Sequence, residues 1–210
     1  MKKLLEGLKR FQTEVFGGKQ DLFKRLSKKQ EPETLFIACS DSRVDPNLLT
    51  QTEPGELFIL RNAGNLIPPY GAFAGGTTAT IEFGVAALKV KDIVVCGHTD
   101  CGAMKALFNP TILEGLPAVR DWLRYAESTR RVMKEHYGNL EKEDFLETVI
   151  KENVLIQLAN LRTHPAVAVR LRQGDLNLHG WVYSIESGEV WSYDADIDEF
   201  VDPHGVPDAV

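Results

Sequence analysis

Two short stretches of this sequence hold side chains that could carry metal or thiol chemistry. "CSDSR" places Cys39, Asp41 and Arg43 directly after the apolar run "TLFIA" at 34–38. "CGHTDCGAM" places His98 and Cys101 three apart, after the apolar run "DIVVCG" at 92–97. Thiolate and imidazole ligands suit zinc, and a set of two cysteines and one histidine leaves the fourth position open, as catalytic zinc requires. The set exists only if the two runs are neighbouring strands whose ends meet. Taken alone, Cys39 reads as a small buried hydrophobe, and His98 as a hydrogen-bonded loop histidine. Cys96 lies inside its run and is expected to point into the core as a structural thiol.

Three other chemistries compete for these residues. A cysteine phosphatase also carries a Cys and an Arg in one loop after a strand, but its loop is longer and glycine-rich. Here three residues intervene, none is glycine, and Asp41 would repel a phosphate. A Cys–His hydrolase leaves Cys101 unexplained and gives Arg43 no role beside the thiol. A purely structural zinc knot normally has four Cys or His ligands, and no fourth stands nearby. Asp41 could complete the shell in a resting state.

The elements that must position these residues are legible as patterns. The chain has 210 residues, 43% hydrophobic and 26% charged, which suits one globular domain. The apolar runs "TLFIA", "ELFIL" (56–60) and "DIVVCG" read as buried strands. Helical segments at 77–90, 118–138 and 142–162 separate or follow them. Strands alternating with helices predict an α/β fold with a mostly parallel central sheet flanked by helices. Ligands of such sheets bind at the carboxyl ends of the strands, where both loaded stretches fall. The runs 176–185 and 190–194, joined by "ESGE", predict a C-terminal strand hairpin. Leu4, Leu8, Phe11 and Val15 predict a helix ended by Gly17 and Gly18, and Leu22, Phe23 and Leu26 a shorter one. The expected organisation is a helical arm at 1–30, an α/β domain at 31–195 and an irregular acidic tail at 196–210. A narrow apolar stripe on the charged arm must dock on its own domain or on another subunit.

Composition removes several function classes. A net charge of −6 and a pI near 5.4 argue against general nucleic-acid binding, although residues 1–30 hold nine Lys/Arg against three Asp/Glu. No apolar run reaches the roughly 20 residues of a membrane span. The first residues are broken by Glu6, Lys9 and Arg10, so no secretory signal is read and a cytoplasmic setting is expected. Three cysteines in such a chain argue against a disulfide framework.

"CSDSR", followed by "RNAGNLIPPYG", an apolar helix and "GHTDCGAMK", resembles the β-class carbonic anhydrases over about residues 30–193. "DPNLLTQTEPGELFILRNAGNLIPPYGA" and "HGWVYSIESGEVW" are most similar to the cyanobacterial carboxysomal and plant-type branch. The resemblance implies one Zn²⁺ per chain, held by Cys39, His98 and Cys101, and reversible hydration of CO₂ to bicarbonate. It implies an Asp41–Arg43 dyad that keeps the carboxylate off the zinc and orients the nucleophile. It further implies that Gln30 and the backbone N–H of Gly102 contact bicarbonate. Phe58, Ala63 and Phe83 match the wall of the CO₂ pocket. Plant-like enzymes often carry tyrosine at the position of Phe83, so that hydroxyl is absent here. Where bicarbonate regulates at a second site, a tryptophan stands three residues before the cysteine. Phe36 occupies that position, so no such site is expected.

Family members form homodimers, with wall residues reaching across the interface, and often larger homo-oligomers. Carboxysomal members carry a longer C-terminal extension, so a carboxysome location and scaffold partners are implied by the resemblance alone. A COS or CS₂ hydrolase on the same scaffold and a non-catalytic bicarbonate-sensing scaffold are the alternative readings. Two thiolate ligands would neutralise the zinc charge and leave its bound water less acidified than on a three-histidine site. Hydration activity is therefore expected to rise above neutral pH, and a flat rate from about pH 6 to 9 would refute this.

Overall fold

The structure, a computed structural model, describes residues 1–72 and 75–204. The chain divides into two compact units, Met1–Glu31 and Pro32–Val210. In the first, α1 (Lys2–Arg10) runs through a π-helical turn (Phe11–Val15) into α2 (Phe16–Gly18). The helix breaks at Lys19, one residue beyond the glycine pair, and α3 (Gln20–Leu26) follows. Phe11, Phe16 and Phe23 form an aromatic cluster with ring centroids 5.0 to 6.1 Å apart. Leu4, Leu5 and Leu8 are exposed.

The second unit begins with β1 (Thr34–Cys39), α4 (Pro46–Thr50) and β2 (Leu57–Asn62). Next come α5 (Gly76–Glu82), continued by a π-helical turn (Phe83–Ala87), then β3 (Asp92–His98) and α6 (Gly102–Phe108). The helices α7 (Pro117–Leu123), α8 (Glu127–His136), α9 (Lys142–Leu161) and α10 (Pro165–Gln173) lead to β4 (Asn177–Tyr183), β5 (Val190–Asp194) and β6 (Glu199–Val201). One sheet has the order β2-β1-β3-β4-β5-β6. Its first four strands are parallel, and β5 and β6 are antiparallel.

The apolar runs are continuous because β1 and β3 are covered on both faces. Leu35, Ile37, Ile93 and Val95 face the main core. Phe36, Ala38, Val94 and Cys96 face a smaller cluster closed by Val44 and Trp181. Cys96 is the structural thiol expected, and its burial pushes its pKa up to about 12.

Helix α9 lies on the sheet where two glycines allow it. A Cβ on Gly97 would stand 2.9 Å from Ile150 Cγ2, and one on Gly180 2.9 Å from Val154 Cγ1. The same helix carries buried and half-buried amides toward the segment after β2. The Gln157 carbonyl accepts the Ile67 N–H at 2.7 Å, Asn160 Nδ2 donates to Ile67 O at 2.9 Å, and Asn153 Nδ2 donates to Gly64 O at 3.1 Å. Just beyond α9, buried His164 joins this set through Nε2 and Pro68 O, 3.0 Å apart.

Several expectations need revision. The helix expected at 118–138 is two helices, separated by a tight turn (Arg124–Ala126), and Glu127 opens the second by pairing with Arg130 and Arg131. The helix expected at 77–90 changes pitch at Phe83 and ends at Ala87. Helix α10 was not anticipated, although Pro165 at its first turn and Gly174 at its end, with φ 73°, are ordinary boundary residues. The tail expected to be irregular from 196 contains β6, where Phe200 packs on Tyr193 at 5.4 Å between centroids. Its acidic composition masked that strand. Residues 205–210 of the expected tail lie outside the described residues.

Burial lowers the pKa of His164 and keeps its ring neutral. The unfolded chain therefore takes up this proton first. The associated stability is complete above the ordinary histidine value near 6.5 and is lost as the pH falls toward the lower folded value. Urea midpoints should drop between about pH 7 and 5, and less so in His164→Gln. Equal slopes in the two proteins would contradict this.

Candidate metal centre

The two loaded stretches meet because β1 pairs in parallel with β3, so Cys39 and His98 finish adjacent strands at the same end of the sheet. The chain leaves β1 for β2 on one side and places β3 on the other. The site therefore sits at the switch point of the sheet, where ligands of such sheets bind. His98 is the last strand residue, one position earlier than a loop residue would be. Cys101 follows as the N-cap of α6.

One ligand atom from each of Cys39, His98 and Cys101 lies within 4.8 Å of the others, and all three residues are buried. His98 Nδ1 is 2.8 Å from Thr99 O, which fixes that nitrogen as the N–H. Its Nε2 is then a bare acceptor, buried and without a hydrogen-bond partner. An orphaned buried nitrogen beside two buried thiols costs folding energy unless something occupies the space between them. A soft divalent cation fits that donor set. Asp41 is outside the group of three: both its oxygens turn to Arg43, and Oδ2 lies 3.9 Å from His98 Nε2.

Hydrogen bonds from outside the set orient its members. The Gly64 N–H donates to Cys39 Sγ at 3.3 Å. The neighbouring Cys101 thiol, helped by the Gly64 N–H, holds the Cys39 thiol down to about 4 against its own burial. Cys101 is pushed up by its bond to Cys39 and by burial. Thr99 is itself anchored, its N–H to Tyr183 O at 2.9 Å and its hydroxyl to the Ile185 N–H at 3.0 Å. Such partners fix the tautomer and aim of a histidine ligand.

The dyad is built by a tight turn. Asp41 O accepts the Val44 N–H at 3.0 Å, which folds 41–44 back on itself. Arg43 then grips Asp41 with a fork, Nε to Oδ1 at 2.9 Å and Nη2 to Oδ2 at 2.8 Å. Those bonds hold the Asp41 carboxyl well below the usual carboxylate range. A second carboxylate was missed in the sequence: Asp100 Oδ2 takes Arg43 Nη1 at 3.0 Å, and its other oxygen pairs with Lys105. Arg61 was also missed. It donates to Cys39 O at 3.0 Å and Asp41 O at 2.7 Å. Both residues stood inside the quoted stretches "GHTDCGAMK" and "RNAGN", but no spacing rule marks an arginine that bonds only to carbonyls.

The other anticipated residues are distributed unevenly. Gly102 opens α6 directly after Cys101 and is exposed. Ala63 is half-buried beside Gly64. Phe58 and Phe83 pack together at 6.0 Å between centroids, and Phe83 is 48% exposed. Phe58 pairs with Leu35 in the sheet, whereas Asn62 pairs with Cys39. The aromatic pair therefore starts four residues, about 13 Å, down the strand from the ligands of its own chain. Gln30 lies next to the end of the N-terminal unit and is exposed.

A family model described as carbonic anhydrase matches residues 34–190. The chain belongs to the β-class carbonic anhydrases. It is 53% identical over 204 residues to a carbonic anhydrase of Synechocystis, covering 97% of this chain and 74% of that protein. The solved structure of the β-carbonic anhydrase CcaA superposes with a TM-score of 0.94 at 53% identity, over 97% of this chain and 99% of that one. Tetrameric β-carbonic anhydrases of Sordaria macrospora are more distant, with a TM-score of 0.74 and 29% identity over 91% and 92% of the two chains. Carbonic anhydrases interconvert CO₂ and bicarbonate. Among the described residues no helix is long and apolar enough to cross a membrane.

Gly64 has φ +78°, and a Cβ there would come within 3.0 Å of Ala103 Cβ and 3.1 Å of Met104 Cε, on α6 just past Cys101. Gly64→Ala should destabilise the fold by about 1–3 kcal/mol and weaken metal retention about tenfold. Unfolding curves and chelator competition measure the two effects, and unchanged metal affinity would contradict the second.

Proposed function

We propose that this carbonic anhydrase is a zinc enzyme in which Cys39, His98 and Cys101 hold the metal and Asp41 and Arg43 govern access to it. The observation that carries the reading is the convergence of two buried thiols and an unpartnered imidazole nitrogen within 4.8 Å. Zinc bound there would supply a Lewis acid that lowers the pKa of a coordinated water.

The chain's own residues do the remaining work. Asp41, ionised at any working pH, can only accept hydrogen bonds. Arg43 occupies both its oxygens, yet each keeps acceptor capacity, and Oδ2 faces the ligand cluster. Oδ2 can therefore take a hydrogen bond from a reacting water and set its orientation. The fork from Arg43 also prevents Asp41 from closing on the metal itself. The backbone N–H of Gly102 can donate to bicarbonate. CO₂ has no charge to steer it, so an apolar wall is needed. Ala63 can contribute from the same chain. The strand register favours a second copy as the source of Phe58 and Phe83, and Gln30 is the side chain proposed to hydrogen-bond bicarbonate. Homodimers or larger assemblies follow from that need. A place inside a carboxysome, with its scaffold proteins as partners, remains an implication of the sequence resemblance.

Stopped-flow CO₂ hydration should be lost on metal removal and restored by zinc. COS and CS₂ should be turned over far more slowly than CO₂, and preference for either would overturn the substrate assignment. Arg43→Lys should retain zinc but lose most activity, about tenfold or more, because an ammonium cannot replace the planar fork. Full turnover in that variant would sink the role given to the dyad.

A further inference from the structure

We propose that Trp122 is a positioning residue for the metal-binding sulfur of Cys39, acting through the Ala63–Gly64 peptide. The inference rests on the metal-centre reading above. Trp122, near the end of α7, donates its indole Nε1–H to Ala63 O at 2.8 Å. The N–H of the same peptide unit belongs to Gly64 and donates to Cys39 Sγ at 3.3 Å. No peptide bond among the described residues is cis, so carbonyl and N–H point to opposite edges of one plane. Indole, peptide and sulfur thus form a relay of two hydrogen bonds across a single amide.

The relay has chemical consequences. A donor on the carbonyl polarises the amide and makes its N–H a stronger donor, by about 10–30% per bond in condensed-phase estimates. A thiolate that accepts a stronger N–H bond gives less charge to a bound cation, and such outer partners tune metal centres. Here two thiolates would already neutralise a dication, so drawing charge off one of them favours Lewis acidity. The next peptide is clamped as well, since Gly64 O accepts from Asn153 Nδ2 at 3.1 Å. Gly64 therefore cannot rotate its N–H away from the sulfur without breaking bonds to two helices, α7 and α9.

A plainer account makes Trp122 a packing residue whose N–H merely finds a partner, as half-buried indoles do. Its ring does pack edge-on against Tyr125 at 5.4 Å between centroids. The two accounts separate in a spectroscopic readout. Cobalt-substituted protein should show thiolate-to-cobalt charge-transfer absorption. In Trp122→Phe, which keeps the ring and removes the donor, that band should move to lower energy, with cobalt stoichiometry unchanged. Transfer of cobalt to a chelator should become about tenfold faster, because the unbraced peptide no longer holds the sulfur in place. Trp191→Phe, on β5, should leave the band in place. Global replacement of tryptophan by a ring-fluorinated analogue, a stronger N–H donor, should move it to higher energy without removing any contact, which covers the case of a poorly folded Trp122→Phe. A band that stays put in both perturbed proteins, even with lowered thermal stability, overturns this inference alone. An absent band in the unaltered protein overturns the metal-centre reading and the inference with it.

Discussion

The parallel pairing of β1 with β3 is the constraint on which the rest of the molecule depends. It sets Cys39 and His98 at one end of the sheet, and the turn after β3 then brings Cys101 within reach. Parallel strands need long crossovers, and here the crossover from β1 to β3 runs through β2 and α5. That connection also makes β1 the switch strand. The same geometry places the site at the carboxyl ends of the strands and buries both faces of β1 and β3. A slip of one residue would turn Cys39 toward Phe36 and Cys96, among apolar side chains.

Around this pairing, polar groups are arranged so that few buried ones lack a partner. Asn153, Gln157, Asn160 and His164 satisfy the backbone between Gly64 and Pro68. That segment has no strand or long helix of its own to take up its donors and acceptors. Buried amides are costly unless paired, and pairing them with an irregular segment fixes its path to within a hydrogen bond. The Gly64 N–H reaches the Cys39 sulfur because of this bracing. Charges follow a similar logic at the rim. Arg43 lies between Asp41 and Asp100, and Lys105 balances Asp100. Exposed pairs are individually weak, but a forked guanidinium held by two carboxylates has little freedom to leave either.

Much of this was readable from residue types. The unbroken apolar character of β1 and β3 pointed to a buried parallel sheet, and the polar ends of both strands pointed to the site. Cys39, His98, Cys101, Asp41 and Arg43 stood out because their chemistry is specific and they fall in two short stretches. Helix α10 and strand β6 were not read: the first is only nine residues long, and the second is three residues in an acidic tail. The break between α7 and α8 left no trace, since no Pro or Gly marks it.

The sequence by itself determined the kinds of ligand available, the strands that carry them and the likeness to β-class carbonic anhydrases. Those features are local, set by side-chain chemistry and short-range periodicity. Only the tertiary structure decided which atoms meet. Arg61, Asp100, Trp122 and Asn153 act on partners brought close by strand order and helix packing, often tens of residues away along the chain. Hydrogen-bond partnership across such distances depends on where two backbones come to lie, and no pattern of residue types along one of them contains that information.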